Sequence, residues 1–282
     1  MLSCRSTQRG RGTQRGNGSL NIIALVKQTP DTAQLSASMD GLKLSAEGGP
    51  RIVNPWDEYT LETAIQAREE HGGEVTALCL GPPEAADALK TALAMGVDEA
   101  VLVSDPAMAD SDSLTSARIL VAAIRKIGAF DLIVGGRAAI DGNTAATAVQ
   151  VAALLDVPLV SYVAELRNLD PSNGTISAVR LLEKARETVT SRLPALISVV
   201  KEINEPRYPS LIGIRKAART SIPVWRCEDL GLDASGVGAG ASGVEWRTAL
   251  PPVREAHIEM IDGGPEDAAR TLVDRLMEEK VI

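Results

Sequence analysis

The sequence is poor in aromatic residues, which make up 2% of its 282 residues, whereas hydrophobic residues make up 45%. The core must therefore be built from Ala, Val, Leu and Ile, because few rings are available to fill it. This composition is typical of an alanine-rich α/β fold. A chain of this length can bury a core without disulfides or metal ions, and it can hold one large domain with an appendage.

Cysteine and histidine are also scarce, with three and two residues. Cys4, Cys79 and Cys227 lie far apart, so neither a disulfide framework nor a Cys-x-x-Cys metal site is predicted. We therefore expect a reducing compartment, the bacterial cytoplasm, with the mitochondrial matrix as the alternative. Neither His71 nor His257 accompanies a nucleophile motif, which disfavours a catalytic triad or a metal centre.

Positive charge is in deficit. The net charge of -8 argues against a general nucleic-acid binder, which needs a surplus of Lys and Arg to neutralise phosphates. No apolar run approaches the roughly 20 residues of a membrane span. Residues 1–20 differ from the rest, with four arginines and no acidic residue. We predict a disordered basic tail there, with a mitochondrial targeting segment as the alternative.

From residue 21, short apolar runs alternate with amphipathic segments. This pattern predicts an α/β fold with a doubly wound, mostly parallel sheet covered by helices on both faces. The predicted strands are 21–27, 74–80, 99–104, 131–135, 158–163 and 195–201. Helices are predicted over 57–71, ending at Gly72-Gly73, and from the N-cap Asp112 to residue 127.

Two segments break this alternation. Within 164–192, Asn173-Gly174 lies between two possible strands and predicts an inserted β-hairpin. Further on, residues 236–243 have the composition of a flexible Gly, Ala and Ser linker, and 265–280 form a predicted terminal helix. We accordingly divide the chain into a nucleotide-binding domain over 21–220 and a C-terminal arm over 221–282.

Ligands of doubly wound sheets bind at the carboxyl ends of the strands, where the strand order reverses. The polar segments expected at that edge are 26–31, 54–57, 81–83 and 135–147. In the last of these, glycines allow close backbone approach, Asp141 suits a ribose hydroxyl or an amide, and Thr144 and Thr147 suit a phosphate at a helix start. One such loop is more simply a capped turn, but four at one edge favour a nucleotide site. Neither a GxGxxG nor a GxxxxGK motif follows a strand, which disfavours Rossmann and P-loop binding.

The segment KEINEPRYPSL at 201–211 resembles the signature of electron-transfer flavoprotein β subunits. Further blocks resemble the family in order, and the resemblance covers about residues 21–232. These blocks are Val26-Lys27-Gln28, Asn54-Pro55, Gly81-Pro82, 91–96 and 139–142.

This resemblance implies a sheet similar to that of the adenine-nucleotide α-hydrolases, and a heterodimer with an α subunit. The α subunit would hold most of a redox-active FAD. The C-terminal arm of this chain would wrap around the α subunit. This chain would carry AMP or, as in electron-bifurcating relatives, a second FAD. Electrons would pass from acyl-CoA or related flavin dehydrogenases to a flavoprotein-quinone oxidoreductase. Such a subunit is an electron carrier of pathways such as fatty acid β-oxidation, and it needs no catalytic residue.

The resemblance also assigns individual residues. The implied cofactor-binding residues are Leu25, Lys27, Asn54, Trp56, Asp57, Leu80, Asp141, Asn143, Thr144, Ala145, Ala146 and Thr147, with Trp56 near the flavin. A recognition loop at 202–213 would contact the dehydrogenase through Asn204, Glu205, Pro206, Arg207, Tyr208, Pro209, Ser210 and Leu211. Leu211 corresponds to the leucine that anchors the partner, although the sequence pattern alone also allows a core position for it in a helix that begins near Ser210.

Departures from the family pattern leave the second nucleotide open. AMP-type members often carry Asn-Gln-Thr where this chain has Ala145-Ala146-Thr147, while residues 112–117 resemble a block of bifurcating members with Ser in place of both Thr residues. We favour AMP because Thr147 is kept. One rival is a stand-alone nucleotide-binding stress or signalling module. Another is an ATP-pyrophosphatase, for which the segment after the first strand lacks the Ser/Gly-rich phosphate loop.

Overall fold

The structure is a computed structural model that describes residues 19–32, 38–40, 43–45, 49–244 and 258–282. The chain divides into two compact units. The first contains the described residues up to 244, apart from a short segment around residues 39–44, and the second contains that segment and residues 258–282. The predicted basic tail lies outside the described residues except for its last two. Of these, Leu20 is buried and begins the first strand, so the sheet starts one residue earlier than predicted.

The described residues form thirteen strands and six α-helices, joined by loops and short 3-10 turns. The strands are β1 (Leu20–Val26), β2 (Gln28–Pro30), β3 (Ser38–Asp40), β4 (Lys43–Ser45), β5 (Arg51–Val53), β6 (Gly73–Leu80), β7 (Glu99–Val103), β8 (Leu132–Gly136), β9 (Leu159–Asp170), β10 (Thr175–Leu181), β11 (Arg186–Arg192), β12 (Ala195–Val199) and β13 (Val224–Trp225). The helices are α1 (Pro55–His71), α2 (Ala86–Met95), α3 (Ser113–Ile127), α4 (Thr147–Leu155), α5 (Leu211–Arg219) and α6 (Pro265–Glu278).

Nine of these strands form one sheet in the order β11-β10-β9-β12-β8-β1-β6-β7-β13. The seven strands from β9 to β13 in this order pair in parallel, whereas β10 and β11 pair antiparallel. The prediction of a mostly parallel α/β sheet is confirmed. After β1, the chain forms β6 and β7 on one side of β1 and then crosses back to form β8 on the other side. The strand order therefore reverses between β1 and β8.

The core lies on both faces of the sheet. Ile22 packs in the cluster that contains residues of α1 and α2, whereas the next residue, Ile23, packs in the cluster of α3 and α4. Successive strand residues point to opposite faces, so β1 must be apolar almost throughout. The largest fully buried side chains are Leu and Ile, which agrees with the scarcity of aromatic residues.

Local signals fix the ends of the helices beside the site. Asp112 caps α3, because its side chain accepts a hydrogen bond of 2.7 Å from the backbone N–H of Thr115, as predicted. Pro55 stands in the first turn of α1, where its missing N–H costs nothing, and Gly72 ends that helix with a φ of 74°. The predicted strands and helices agree with the structure to within two residues at each end, except that β9 continues to Asp170.

The predicted hairpin is present as β9 and β10, with a turn at 171–174, but β11 adds a third antiparallel strand that was not predicted. The prediction of a flexible linker at 236–243 is wrong. Gly238 donates its backbone N–H to Ser111 Oγ at 3.0 Å, and Gly243 donates its own to Asp112 Oδ2 at 2.7 Å. Val237, directly before Gly238, is buried. At Gly238, which has a φ of 72°, a Cβ would overlap the carbonyl oxygen of Ala107, so this position requires glycine.

Candidate functional site

A cleft of about 890 Å³ opens at the carboxyl edge of the sheet, where the strand order reverses. Its volume lies in the range of small-molecule sites, roughly 300–1,000 Å³. The ends of β1, β6, β7 and β8 form its base, and the starts of α3 and α4 form its sides. Among the lining residues are the predicted Leu25, Lys27, Asn54, Asp57, Leu80, Asp141, Asn143, Thr144, Ala145, Ala146 and Thr147. Trp56 does not line it.

Asn54 ties the start of α1 to the loop after β8. Its Nδ2 donates to the carbonyl of Ala138 at 2.9 Å, and its Oδ1 accepts from the backbone N–H of Ile140 at 3.1 Å. Asn54 is buried, and its amide side chain can donate and accept at the same time. It therefore fixes the position of the loop that forms one side of the cleft.

Asp57 is a buried residue at the base of the cleft. One of its carboxylate oxygens accepts a hydrogen bond of 2.7 Å from the backbone N–H of Lys27. Burial raises the pKa of Asp57 to about 7, although hydrogen bonds from Lys27 and Asn54 oppose the shift. Next to it, a Cβ on Gly136 would overlap the Asp57 carboxylate and Trp56, which explains the glycine at the end of β8.

Lys27 and Asp141 form an ion pair across the cleft wall, between the end of β1 and the loop after β8. Lys27 Nζ lies 2.9 Å from Asp141 Oδ1 and 2.7 Å from Oδ2. Asp141 also accepts from the N–H of Gly142 at 2.7 Å. Both side chains remain partly accessible. The pair therefore presents a cation and a hydrogen-bond acceptor side by side to a ligand in the cleft.

The loop before α4 has the geometry of an anion site. Asn143 and Ala145 take left-handed conformations, with φ of 46° and 52°, which is uncommon for residues with a side chain. At the start of α4, Ala146 supplies no side-chain cap, so no N-cap side chain satisfies the first N–H groups of the helix. Free N–H groups, the helix dipole and a left-handed turn together favour a phosphate.

The predicted recognition loop lies away from the cleft and is fixed to α1. Arg207 donates from Nε and Nη2 to both carboxylate oxygens of Glu62, at 2.8 and 3.0 Å. It also donates from Nη1 and Nη2 to both oxygens of Glu69, at 2.7 and 2.9 Å. Burial disfavours the charged form of Glu62, but the hydrogen bonds from Arg207 outweigh it and hold the pKa of Glu62 below its ordinary value.

Beyond Arg207 the loop turns apolar side chains outward. Tyr208 is 94% exposed, Leu211 78% and Ile212 81%. Leu211 is therefore not a core residue of this chain. Its side chain is free to contact another protein.

An electron transfer flavoprotein domain model matches residues 41–230. The chain belongs to the electron transfer flavoprotein family. Among its relatives, an electron transfer flavoprotein subunit beta of Thermoanaerobacterium thermosaccharolyticum is 38% identical over 264 residues, which cover 93% of this chain and 100% of the relative. The caffeyl-CoA reductase-Etf complex subunit CarD of Acetobacterium woodii is 36% identical over 265 residues, covering 93% and 100%. Protein FixA of Azorhizobium caulinodans is 34% identical over 265 residues, covering 92% and 94%. The family predicted from the sequence is confirmed.

Several residues of this electron transfer flavoprotein chain line the far side of the cleft without having been placed there from the sequence. They are Ser104, Asp105, Ser113, Ser116, Arg226 and Val244. Arg226 follows β13, which reaches the cleft by pairing with β7 at the sheet edge. No local motif marks it, because its position depends on a pairing distant in sequence. For Ser113 and Ser116, the resemblance of 112–117 to a family block was the available signal.

Trp56, which the family resemblance places near the flavin, lies beside the cleft in a small aromatic cluster. The guanidinium of Arg137 is 5.3 Å from the Trp56 ring centroid and 5.8 Å from the Tyr162 ring centroid. Tyr162 has a φ of 59°, an uncommon conformation for a bulky residue. The whole sequence has only three Trp and three Tyr residues, and one of each lies at the edge of the sheet next to the cleft.

Within the described ranges, no helix combines the length and the apolarity that a membrane crossing requires.

Proposed function

We propose that the chain is the β subunit of a heterodimeric electron transfer flavoprotein, located in the cytoplasm. It would carry electrons from flavin dehydrogenases, such as acyl-CoA dehydrogenases, through FAD to a flavoprotein-quinone oxidoreductase. The observation that carries the proposal is the near full-length similarity to a protein named electron transfer flavoprotein subunit beta. The α subunit would hold most of the FAD, and the C-terminal arm of this chain would contact that subunit.

The cleft is the proposed site of a second nucleotide. The uncapped start of α4 and the left-handed turn before it suit a phosphate, and Asp141 suits a ribose hydroxyl. Leu25 and Leu80 line the same cleft and suit the apolar faces of a base. AMP, with one phosphate and one ribose, matches this set of groups, and we propose AMP as the ligand.

A second FAD is the second candidate, and one observation favours it. The cleft continues past α4 to Ser113 and Ser116 at the start of α3 and to Arg226 after β13, and its volume is near the upper end of the range for small-molecule sites. A dinucleotide would contact both the side of the cleft at α4 and the side at α3. A chain with two flavins would be a subunit of an electron-bifurcating flavoprotein.

In either case the cofactors supply the redox chemistry, and this chain binds, orients and shields them. Lys27 and Asp141 would exchange their mutual ion pair for contacts with the ligand, and Asn54 would hold the loop after β8 in place. No side chain of this chain needs to act as an acid, a base or a nucleophile.

Mass spectrometry of the nucleotides released from the native heterodimer tests the proposal. We expect FAD and AMP in equal amounts, whereas two equivalents of FAD without AMP would replace AMP by the second candidate. A Thr147→Leu variant should lose the second nucleotide and keep the FAD of the α subunit. Each lost charge-assisted contact weakens binding about tenfold or more. Thr188→Leu on the exposed strand β11 is the control. A chain that assembles with no α subunit and no flavin would favour the stress or signalling module.

A further inference from the structure

The recognition loop has a polar side that faces α1 and an apolar side that faces outward. Two of the eight residues predicted for partner recognition, Asn204 and Arg207, direct their side chains into this chain. Asn204 Nδ2 donates to Thr63 Oγ1 at 2.8 Å and to the carbonyl of Tyr59 at 3.2 Å. The side chains of these two residues therefore bind α1.

Arg207 makes the strongest contacts of the loop. Each of the two glutamates receives two hydrogen bonds from its guanidinium, and the backbone N–H of Arg207 adds a further one to Glu62 Oε2 at 3.1 Å. Paired, bidentate hydrogen bonds between arginine and carboxylate are short, directional and about twice as strong as neutral ones. The side chain of Glu62 is 4% exposed and that of Arg207 36%, so water screens this pair less than it screens an ion pair between two exposed side chains.

The apolar residues at the start of α5 are not buried within this chain. Helix α5 packs on α2 through Gly213, where a Cβ would overlap the carbonyl of Ala94, and through the buried Ala217. This contact holds Leu211 and Ile212, at the start of α5, on the outer side. Tyr208 directly follows Arg207, so the position of Arg207 also determines where Tyr208 stands.

We infer that Arg207 is a positioning residue: it orders the loop so that Tyr208, Leu211 and Ile212 form a preformed docking surface for the dehydrogenase. This inference rests on the proposed function. A loop that is already ordered loses little conformational freedom on binding, so more of the contact free energy appears as affinity. Arg207 acts through Glu62 and Glu69 and needs no contact with the partner.

The test uses the heterodimer with both cofactors bound. Hydrogen exchange followed by mass spectrometry reports the order of residues 204–214. Steady-state electron transfer from a butyryl-CoA-reduced acyl-CoA dehydrogenase gives KM and kcat. The variants are Arg207→Met, Arg207→Lys and Glu69→Gln. Glu69→Gln is included because it weakens the contacts of Arg207, leaves Glu62 paired and changes no residue of the loop. Glu70→Gln, one residue further along α1, is the matched control.

Arg207→Met removes all four guanidinium hydrogen bonds, so we expect exchange of the loop amides to be at least tenfold faster, since the loss of even one charge-assisted contact changes an equilibrium by about tenfold. KM for the dehydrogenase should rise about tenfold, with kcat and nucleotide content unchanged. Glu69→Gln should show a smaller rise in both exchange and KM. Arg207→Lys should recover part of the effect, because an ammonium group cannot bind both carboxylates in the same way. Glu70→Gln should match the wild type.

Unchanged loop exchange in Glu69→Gln and Arg207→Met would overturn the inference, as would faster exchange with an unchanged KM. If Arg207→Met destabilises the whole protein by leaving Glu62 unpaired, Glu69→Gln decides, because faster exchange confined to the loop still supports the ordering role. Wild-type protein that accepts no electrons from the dehydrogenase would refute the proposed function and the docking role with it. The exchange data would then show separately whether Arg207 orders the loop.

Discussion

Replacing Asp57 by Asn is expected to remove a large pH dependence from the stability of this protein. Burial raises the pKa of the Asp57 carboxyl from 3.8 to about 7. Between these values the folded protein binds more protons at this site than the unfolded chain does, so the free energy of unfolding falls as the pH rises. The whole shift corresponds to roughly 4 kcal/mol, of which about 2–3 kcal/mol are lost between pH 5 and pH 8.

Urea denaturation of wild type, Asp57→Asn and Asp87→Asn at several pH values measures this effect. Asparagine can still accept the hydrogen bond from Lys27 without carrying a charge. As the pH rises from 5 to 8, the free energy of unfolding of Asp57→Asn should therefore increase by about 2–3 kcal/mol relative to that of wild type. Asp87 lies exposed on α2, and its replacement should leave the curve parallel to that of wild type. Parallel curves for Asp57→Asn and wild type would refute the assignment of a raised pKa to Asp57.

Three further variants test other parts of the structure. Leu211→Ala should leave the melting temperature and flavin content unchanged while electron transfer from the dehydrogenase slows, because truncation of an interface hot spot costs about 2 kcal/mol or more; a melting temperature lowered by many degrees, with normal transfer, would contradict this. Gly136→Ala should destabilise the protein by about 1–3 kcal/mol in thermal unfolding through overlap with Asp57, whereas Gly142→Ala, with open space for its Cβ, should not. Truncation after Leu232 should lower the melting temperature, because it removes the buried Val237, and it should weaken co-purification with the α subunit. Truncation after residue 244 should weaken only co-purification. Equal melting temperatures of the two truncated proteins would refute the stabilising role of Val237.

Most of the central sheet could be predicted because its signals are local. An apolar run such as β1, buried on both faces, and a capped helix such as α3 carry their pattern in consecutive residues. β11 escaped prediction because its exposed, polar residues are held in the sheet only by pairing with β10. The segment 236–243 was misinterpreted for a related reason. Gly and Ser are typical both of flexible linkers and of backbone that packs closely on a helix.

The candidate site shows the same division. Lys27, Asp57 and Asp141 stand in polar segments at strand and helix ends, so their convergence follows from the rule that parallel strands end at one edge. Arg226 and the inward direction of Arg207 depend on contacts between distant parts of the chain, which periodicity does not encode. The exposure of Leu211 depends likewise on the packing of α5 against α2, and only the structure removes the alternative of a core position.

The position of β1 in the centre of the sheet affects how the chain can fold during synthesis. β1 is made first, yet one of its neighbours is β8, and the hydrogen bond from Asn21 to Asp131 joins residues 110 positions apart. At about 5–20 residues per second, a ribosome needs roughly 5–20 s to supply β8 after β1. During that interval one edge of an almost wholly apolar strand has no partner in the sheet. Pairings this distant in sequence fold slowly and expose the chain to aggregation. Folding of the β1, α1 and β6 segment before β8 is made would bury one face of β1 and would thereby limit aggregation while the chain is incomplete.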